Sequence, residues 1–207
     1  MKRLSIVLPC YNEEEVLPIT ITRLKQVMEG LVADGHLSGD SYMLFVDDGS
    51  TDGTWDIISR EAVQCSRVRG VSLARNCGHQ CALMAGMEEV YGSCDAVVTM
   101  DADLQDDPGA IGRMLEKHAL GYDVVYGVKS DRSADGWLKR HAAQAYYRLQ
   151  GALGVDTVYN HADFRLLSHR ALSLMRQYPE RNVYLRGMIP LLGLRQATVE
   201  DEISGRA

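Results

Sequence analysis

Two aspartates, Asp101 and Asp103, stand two residues apart at the end of an apolar, β-branched stretch, residues 96–100, that predicts a buried strand. Because alternate side chains at a strand's end point to one side, both carboxylates should face one point in space. Converging anions repel each other unless a cation lies between them. With the amide oxygen of Gln105 nearby, the pattern indicates a site for Mg2+ or Mn2+ that holds substrate phosphates. The alternative is a solvated acidic turn at a helix N-terminus.

Predicted strands alternate with predicted helices along the first part of the chain. The strands are residues 4–8, 42–46, 68–73, 96–100 and 124–127. Asn12 is expected to cap the first helix, and Pro108 to lie in the first turn of the fourth. This alternation predicts an α/β fold with a mostly parallel sheet and helices on both faces. Ligands of such sheets bind beyond the carboxyl ends of the strands, where the acidic clusters of this chain occur.

Composition excludes several classes of function. The chain has 207 residues and a formal net charge of −6, which argues against nucleic acid as a general partner. No apolar run reaches roughly 18 residues, so we do not expect the chain to cross a bilayer by itself. The five cysteines show no paired spacing and are expected to be reduced thiols. The six histidines are scattered, and each is expected at the surface or hydrogen-bonded to a neighbour rather than as a ligand. Dinucleotide-binding, Walker A, nucleophile-elbow and zinc-protease motifs are absent.

The later part of the chain has a different pattern. Residues 136–153 predict a helix that mixes aromatic and basic side chains, among them Trp137 and Arg140, and that either lies on a membrane surface or packs on the sheet. Residues 162–167 predict a short strand with an inward acid, Asp163. Residues 181–194 combine arginines with an apolar run, and are a second candidate for a membrane-surface helix or part of the core.

Several motifs, taken in order, resemble a known family. They are Pro9-x-Tyr11-Asn12-Glu13, Val46-Asp47-Asp48-Gly49-Ser50-x-Asp52-Gly53-Thr54, Arg75-Asn76-x-Gly78, Asp101-Ala102-Asp103-Leu104-Gln105-Asp106-x-Pro108, Asp163-Phe164-Arg165-Leu166-Leu167 and Glu180-Arg181-Asn182-x-Tyr184-Leu185-Arg186-Gly187. The set resembles family 2 glycosyltransferases of the Rossmann-like GT-A fold. Within that family it is most similar to the polyprenyl-phosphate branch, which includes dolichyl-phosphate mannose synthases and bactoprenol glucosyltransferases. The likeness covers about residues 4–196 and implies a single GT-A catalytic domain over residues 1–207.

The resemblance implies roles for individual residues. The nucleotide-sugar pocket would be formed by Pro9, Tyr11, Glu13, Val46, Asp48, Asp101, Ala102 and Lys129. Asp101 and Asp103, with Gln105, would hold Mg2+ or Mn2+ on the donor diphosphate. Asp103, Asp163 and Arg186 would form the catalytic group. In that group Asp163 lies near the sugar, and the Arg186 guanidinium binds the acceptor phosphate through its planar fork.

The implied reaction is the inverting transfer of a hexose from a nucleotide diphosphate sugar, with UDP-glucose the leading donor, to a polyprenyl phosphate such as undecaprenyl phosphate. The expected location is the cytoplasmic face of a membrane, in the synthesis of cell-envelope glycans, and a homo-oligomer is left open. Two alternatives are a transferase with a saccharide acceptor, in which Asp163 would be a base, and a catalytically silent nucleotide-sugar-binding domain. Residues 197–207 do not match the family's closing motif, and the C-terminal membrane helices usual in bacterial members are absent.

Overall fold

A computed structural model of the chain describes residues 2–129, 161–178 and 184–201. The strands are β1 (Leu4–Cys10), β2 (Tyr42–Asp47), β3 (Val68–Ser72), β4 (Ala96–Thr99), β5 (Val124–Lys129), β6 (His161–Ser168) and β7 (Gln196–Asp201). The helices are α1 (Leu17–Ala33), α2 (Thr54–Gln64), α3 (His79–Val90), α4 (Ala110–Ala119), α5 (His169–Met175) and α6 (Leu185–Leu191). The helix predicted for residues 136–153 lies outside the described residues.

The seven strands form one sheet in the order β3-β2-β1-β4-β6-β5-β7. All neighbouring pairs are parallel except those of β6, which is antiparallel to both β4 and β5. The predicted α/β fold with a mostly parallel sheet is therefore confirmed. The edge strand β7 was not predicted from the sequence. Since β7 runs parallel to β5, its carboxyl end at Asp201 lies at the same edge of the sheet as those of β1, β2 and β4.

Helices cover both faces of the sheet, as the sequence pattern predicts. Side chains of α1, α2 and α4 belong to one buried cluster, and those of α3, α5 and α6 to the other. Strand β1 contributes to both because its side chains alternate, with Ile6 and Leu8 in the first cluster and Val7 in the second. Two packed layers of helices thus fix the strand ends that carry the polar residues.

Asn12 does not cap α1, which corrects the sequence prediction. The helix begins at Leu17 after Val16, without a side-chain cap. Asn12 has a φ of 57°, a left-handed conformation that Asn tolerates better than most residues. Its side-chain oxygen accepts a hydrogen bond from the backbone N–H of Thr51 (2.8 Å). The residue therefore joins the turn after β1 to the turn after β2. Helix α4 likewise begins later than predicted, with Pro108 just before it.

The elements after residue 160 complete the sheet with β6 and β7 and cover one of its faces with α5 and α6. In α6, Leu185, Met188 and Ile189 are buried, whereas the side chain of Leu191 is 65% exposed. The apolar run in residues 181–194 thus contributes to the core within its described part. No helix among the described residues is long and apolar enough to span a membrane.

Candidate active site

An open cavity of about 340 Å³ lies at the carboxyl edge of the sheet. It is lined by Pro9, Cys10, Tyr11, Glu13, Asp48, Asn76, Gly78, His79, Asp101, Ala102 and Asp103. The lining residues come from the turns that follow β1, β2, β3 and β4. The structure therefore brings together most of the residues that the sequence assigns to a nucleotide-sugar pocket, in the place where parallel α/β sheets bind ligands.

The acidic pair follows β4 with the alternation expected of a strand end. Met100 and Ala102 are buried, whereas Asp101 and Asp103 are partly exposed and line the cavity. The hydroxyl of Thr20 in α1 donates to the Ala102 carbonyl oxygen at 2.6 Å and so attaches this segment to the first helix. The two carboxylates consequently face the cavity from a backbone held at its buried positions.

The turn after the acidic pair has an unusual backbone. Leu104 has a φ of 57°, in the left-handed region that is costly for a residue with a branched side chain. This turn brings the backbone N–H of Gln105 to the Asp103 Oδ1 atom at 3.1 Å. The side chain of Gln105 is exposed and is not among the residues that line the cavity. Gln105 thus meets Asp103 through its backbone, and not through the amide oxygen that the sequence suggested as a metal ligand.

Negative charge accumulates on this wall of the cavity. Burial, followed by the charges of Asp103 and Asp101, raises the pKa of Glu13 above its ordinary value. Like charges shift a pKa in this direction when no cation lies between them. We call Glu13, Asp101 and Asp103 the donor wall.

Asp48 is buried and holds the loop between β3 and α3. Its two carboxylate oxygens accept hydrogen bonds from the backbone N–H groups of Cys77 (2.7 Å) and Gly78 (2.8 Å). The next residue, Gly49, has a φ of 70°, and a Cβ there would lie 2.6 Å from the backbone of Arg75 and Asn76. Only glycine allows this approach. Asp48 therefore lines the cavity and also sets the position of the loop that faces it.

Asp163 lies among cations next to His79, one of the residues that line the cavity. It is buried on β6, and both its oxygens accept hydrogen bonds from Arg186, from Nε at 3.3 Å and from Nη2 at 3.1 Å. Arg165 Nη2 also donates to Asp163 Oδ1. Burial acts to raise the pKa of Asp163, but the hydrogen bond from Arg186 and the charges of Arg165, Arg186 and His79 lower it below its ordinary value. We call Asp163, Arg165 and Arg186 the acceptor wall.

His79 joins the two walls, and the sequence analysis missed it. It is the first residue of α3, and its Nε2 atom lies 2.8 Å from Asp101 Oδ1. Its Nδ1 atom lies 3.8 Å from Asp163 Oδ2. The hydrogen bond with Asp101 raises the pKa of His79, and burial only partly opposes this shift. The expectation of a surface position holds for His79, whose side chain is 41% exposed, but the residue also lines the cavity. Its position after Gly78, at the end of the β3–α3 loop, was the available signal.

Two other predicted pocket residues lie elsewhere. The side chain of Val46 is fully buried and packs in the core against Gly86 of α3, so it is not part of the cavity wall. The Nζ atom of Lys129, at the end of β5, lies 3.6 Å from Asp106 Oδ1. The structure thus places Lys129 beside a buried carboxylate, and not on the cavity wall expected from the resemblance.

Asp106 belongs to a buried acidic pair that connects the turn after Asp103 to β7. Burial, together with the charges of Asp101 and Asp201, raises the pKa of Asp106 to about 7. The Asp201 side chain, fully buried, accepts a hydrogen bond from the backbone N–H of Asp107 at 2.7 Å. Burial also raises the pKa of Asp201. The unpredicted edge strand therefore supports the segment that follows the acidic pair.

The donor wall fits a hard divalent ion. It offers oxygen ligands with excess negative charge, which suit Mg2+ or Mn2+. Within the part of the chain that the structure describes, no three His, Cys, Asp or Glu side chains form a ready-made metal site. Ions of this type are often held by one or two carboxylates together with substrate phosphates. Asp101 and Asp103 are the residues that would hold such an ion.

Comparison with known proteins assigns the chain to a family. The family model described as "Glycosyl transferase family 2" matches residues 5–175. The chain belongs to glycosyl transferase family 2. Its seven-stranded sheet is the GT-A fold of these enzymes, and the resemblance found in the sequence motifs is confirmed.

The relatives of this family 2 chain include bacterial and phage proteins. YkoT of Bacillus subtilis (strain 168), an uncharacterised glycosyltransferase, is 44% identical over 196 residues, which are 95% of this chain and 58% of YkoT. The bactoprenol glucosyl transferase of Shigella phage SfX is 36% identical over 199 residues, 96% of this chain and 63% of the phage protein. The chain thus spans about three fifths of the length of these relatives.

A solved structure supports the fold. Glucosyl-3-phosphoglycerate synthase from Mycobacterium tuberculosis, in a complex with Mn2+, UDP and phosphoglyceric acid, matches with a TM-score of 0.62 at 19% sequence identity. The match covers the whole of this chain (100%) and 71% of that one. At this identity the likeness establishes the GT-A fold alone.

Proposed function

We propose that the protein transfers a hexose, with UDP-glucose the leading donor, from a nucleotide diphosphate sugar to a polyprenyl phosphate with inversion at the anomeric carbon. The observation that carries this proposal is the pair of oppositely charged walls at the carboxyl edge of the sheet. The donor wall is short of cations and suits a metal-bound diphosphate. The acceptor wall carries Arg186, whose side chain is 43% exposed and can reach an acceptor phosphate.

The proposed chemistry makes one bond and breaks one. An oxygen of the acceptor phosphate attacks the anomeric carbon, and the bond from that carbon to the β-phosphate oxygen breaks, so that the nucleoside diphosphate leaves with the electron pair. The acceptor phosphate is anionic near neutral pH and needs no strong general base. A divalent ion at Asp101 and Asp103 would offset the charge that grows on the leaving diphosphate.

Asp163 has a supporting role in this scheme. Its lowered pKa keeps the carboxylate ionised, and the hydrogen bonds from Arg186 and Arg165 hold it in place. A carboxylate fixed in this way can orient sugar hydroxyls and stabilise positive charge at the anomeric carbon. The same hydrogen bonds make it a weak base. This property favours a phosphate acceptor over a saccharide hydroxyl, which would need its proton removed.

A lipid acceptor also implies contact with a membrane, which we propose occurs at its cytoplasmic face. Three exposed apolar or aromatic side chains lie near the acceptor wall in the sequence: Tyr178 (41% exposed), Tyr184 (64%) and Leu191 (65%). Tyr184 directly precedes the helix that carries Arg186. Tyrosine suits the membrane interface because one end of its ring is apolar and the other polar.

The proposal is tested by assaying the protein with UDP-glucose or GDP-mannose, Mn2+, and undecaprenyl phosphate in detergent micelles. We expect sugar to appear in the lipid extract with at least one donor, and chelation of Mn2+ to abolish its appearance. Parallel reactions replace the lipid with free saccharides. Transfer to a saccharide alone would point to the polysaccharide-directed alternative. Donor binding without transfer or hydrolysis under any condition would identify a silent nucleotide-sugar-binding domain.

A further inference from the structure

His79 is placed so that one imidazole ring faces both walls of the cavity. Its Nε2 atom is within hydrogen-bonding distance of Asp101 Oδ1 (2.8 Å), and its Nδ1 atom is 3.8 Å from Asp163 Oδ2. Among the described residues, no other Lys, Arg or His side chain has a nitrogen within 4.0 Å of both carboxylates. The ring thus connects the residue that would hold the donor's metal to the centre of the acceptor wall.

The backbone that carries His79 is itself held firmly. The two N–H groups just before it, those of Cys77 and Gly78, both donate to the buried Asp48 carboxylate. Gly78 has a φ of 90°, and this allows the chain to turn directly into α3. In the first turn of that helix, the Gln80 Oε1 atom accepts the backbone N–H of Leu185 at the start of α6 (3.2 Å). The position of the ring is therefore set by contacts on both sides of the cavity.

A carboxylate that binds a metal needs a partner that fixes its orientation. Carboxylate ligands are commonly hydrogen-bonded by a neighbouring group, and loss of that partner lowers metal affinity or activity by about 10–100-fold. Asp101 is partly exposed, and within the described part of the chain the hydrogen bond and ion pair of its side chain are both with His79. His79 meets this requirement, and its other ring nitrogen, Nδ1, lies 3.8 Å from Asp163 Oδ2.

We propose that His79 is a positioning residue of the transfer site. It orients Asp101 for the divalent ion, and through Asp163 it sets the donor diphosphate at a fixed distance from the acceptor wall. This inference rests on the proposed function for its metal and its donor. It assigns a role to a side chain that the sequence motifs did not indicate.

The test measures UDP binding by calorimetry with and without Mn2+, and so needs neither acceptor nor turnover. We expect His79→Ala to weaken Mn2+-dependent UDP binding by about 10–100-fold. His79→Gln, whose amide N–H can replace the Nε2 donor, should recover most of the loss. In the presence of EDTA, His79→Ala and the wild-type protein should bind UDP equally. His36→Ala, which alters an exposed histidine outside the cavity, is the matched control.

A double-mutant cycle separates positioning from a general structural role. If His79 acts through Asp101, then His79→Ala should add little to the effect of Asp101→Asn on Mn2+-dependent binding. Full additivity, or an equal loss of affinity in EDTA, would overturn the inference. If UDP binding by the wild-type protein does not respond to Mn2+, the proposed function as a metal-dependent transferase is wrong. If UDP binding by the wild-type protein depends on Mn2+ but His79→Ala binds UDP as the wild type does, then only the proposed role of His79 is wrong.

Discussion

The donor and acceptor walls of the cavity are built in opposite ways. On the donor wall, burial and then the charges of Asp103 and Asp101 raise the pKa of Glu13. On the acceptor wall, the buried Asp163 is paired with two arginines, and its pKa is lowered. Each wall has a carboxylate within 4.0 Å of His79, but among the described residues only the acceptor wall contains arginines of its own.

This difference indicates which wall depends on an added ion. The acceptor wall is a hydrogen-bonded ionic group within the fold, so its integrity contributes to stability. The donor wall is left with uncompensated charge, a state that a metal and a diphosphate can complete. Substitutions at the buried residues of the acceptor wall, Asp163 and Arg165, should therefore affect folding, and substitutions on the donor wall should affect binding.

The largest expected effect is on stability, from Asp163→Ala. This change leaves the guanidinium of Arg165, only 1% exposed, without its carboxylate partner. Removing one partner of a buried ion pair costs about 3–5 kcal/mol. Urea unfolding should show a loss of this order in the free energy of unfolding. A second variant, Asp163→Ala combined with Arg165→Met, should recover part of the loss because no buried charge remains unpaired. Wild-type stability in Asp163→Ala would show that the acceptor wall is not a structural ion pair.

On the donor wall, Asp103→Asn should have the opposite profile. The substitution removes one of the repelling charges, so the free energy of unfolding should stay the same or rise slightly. Mn2+-dependent nucleotide affinity should fall about 100-fold, because the variant loses a charged metal ligand. Calorimetry with Mn2+ and with EDTA measures the second effect, and urea unfolding the first. If the variant and the wild type had equal Mn2+-dependent nucleotide affinity, Asp103 would not be a metal ligand.

The third prediction concerns the pH dependence of stability. The pKa of Asp106 is raised to about 7 by burial and neighbouring charges. Between about pH 4 and 7 the folded protein should therefore bind more protons at Asp106 than the unfolded chain does, and stability should decrease as the pH rises through this window. From pH 5 to pH 8 the loss should be about 2–3 kcal/mol, since roughly two units of the shift in pKa fall in this range and one unit corresponds to about 1.4 kcal/mol.

Asp106→Asn should flatten this profile and make the variant more stable than the wild type at pH 8. Urea midpoints at pH 5, 6, 7 and 8 give the measurement. Asp40→Asn is the control, because the Asp40 side chain is 75% exposed and forms only a surface ion pair with Arg3. If Asp106→Asn has the same pH profile as the wild type, the carboxyl is already ionised in the folded protein.

The smallest effect should come from Arg186→Ala, because its side chain is partly exposed to water, which weakens its charge interactions. We expect acceptor efficiency (kcat/KM) to fall roughly tenfold, about 1.4 kcal/mol. Donor affinity should stay close to normal. Arg186→Lys should recover only part, since an ammonium group cannot reproduce the planar fork. Arg176→Ala, at an exposed arginine paired with Glu88, provides the control. If Arg186→Ala lowered donor affinity as much as acceptor efficiency, Arg186 would instead be assigned to binding of the donor diphosphate.

Much of the fold could be predicted from the sequence because it depends on local patterns. Alternating burial around Asp101 and Asp103 follows from the two-residue period of a strand. The strands β1 to β5 and most helices were recognised from the same kind of periodicity. The acidic clusters could be assigned to one site because parallel strands end at one edge of a sheet.

The remainder required the tertiary structure. Strand β7 has few apolar residues, and its formation depends on pairing with β5, more than 60 residues earlier in the chain. Lys129 faces Asp106, and Val46 faces the core, because packing of the sheet and its helices decides where these side chains point.

The sequence by itself determined the fold class, the acidic pair and the family, since each is encoded in short patterns of residue types. Only the tertiary structure decided that His79 contacts Asp101 and approaches Asp163, and that Arg165 and Arg186 surround Asp163. His79 and Asp101 are 22 residues apart in the sequence, and Asp163 and Arg186 are 23 residues apart. The antiparallel insertion of β6 between β4 and β5 produces the acceptor wall, and no local period specifies which strands become neighbours.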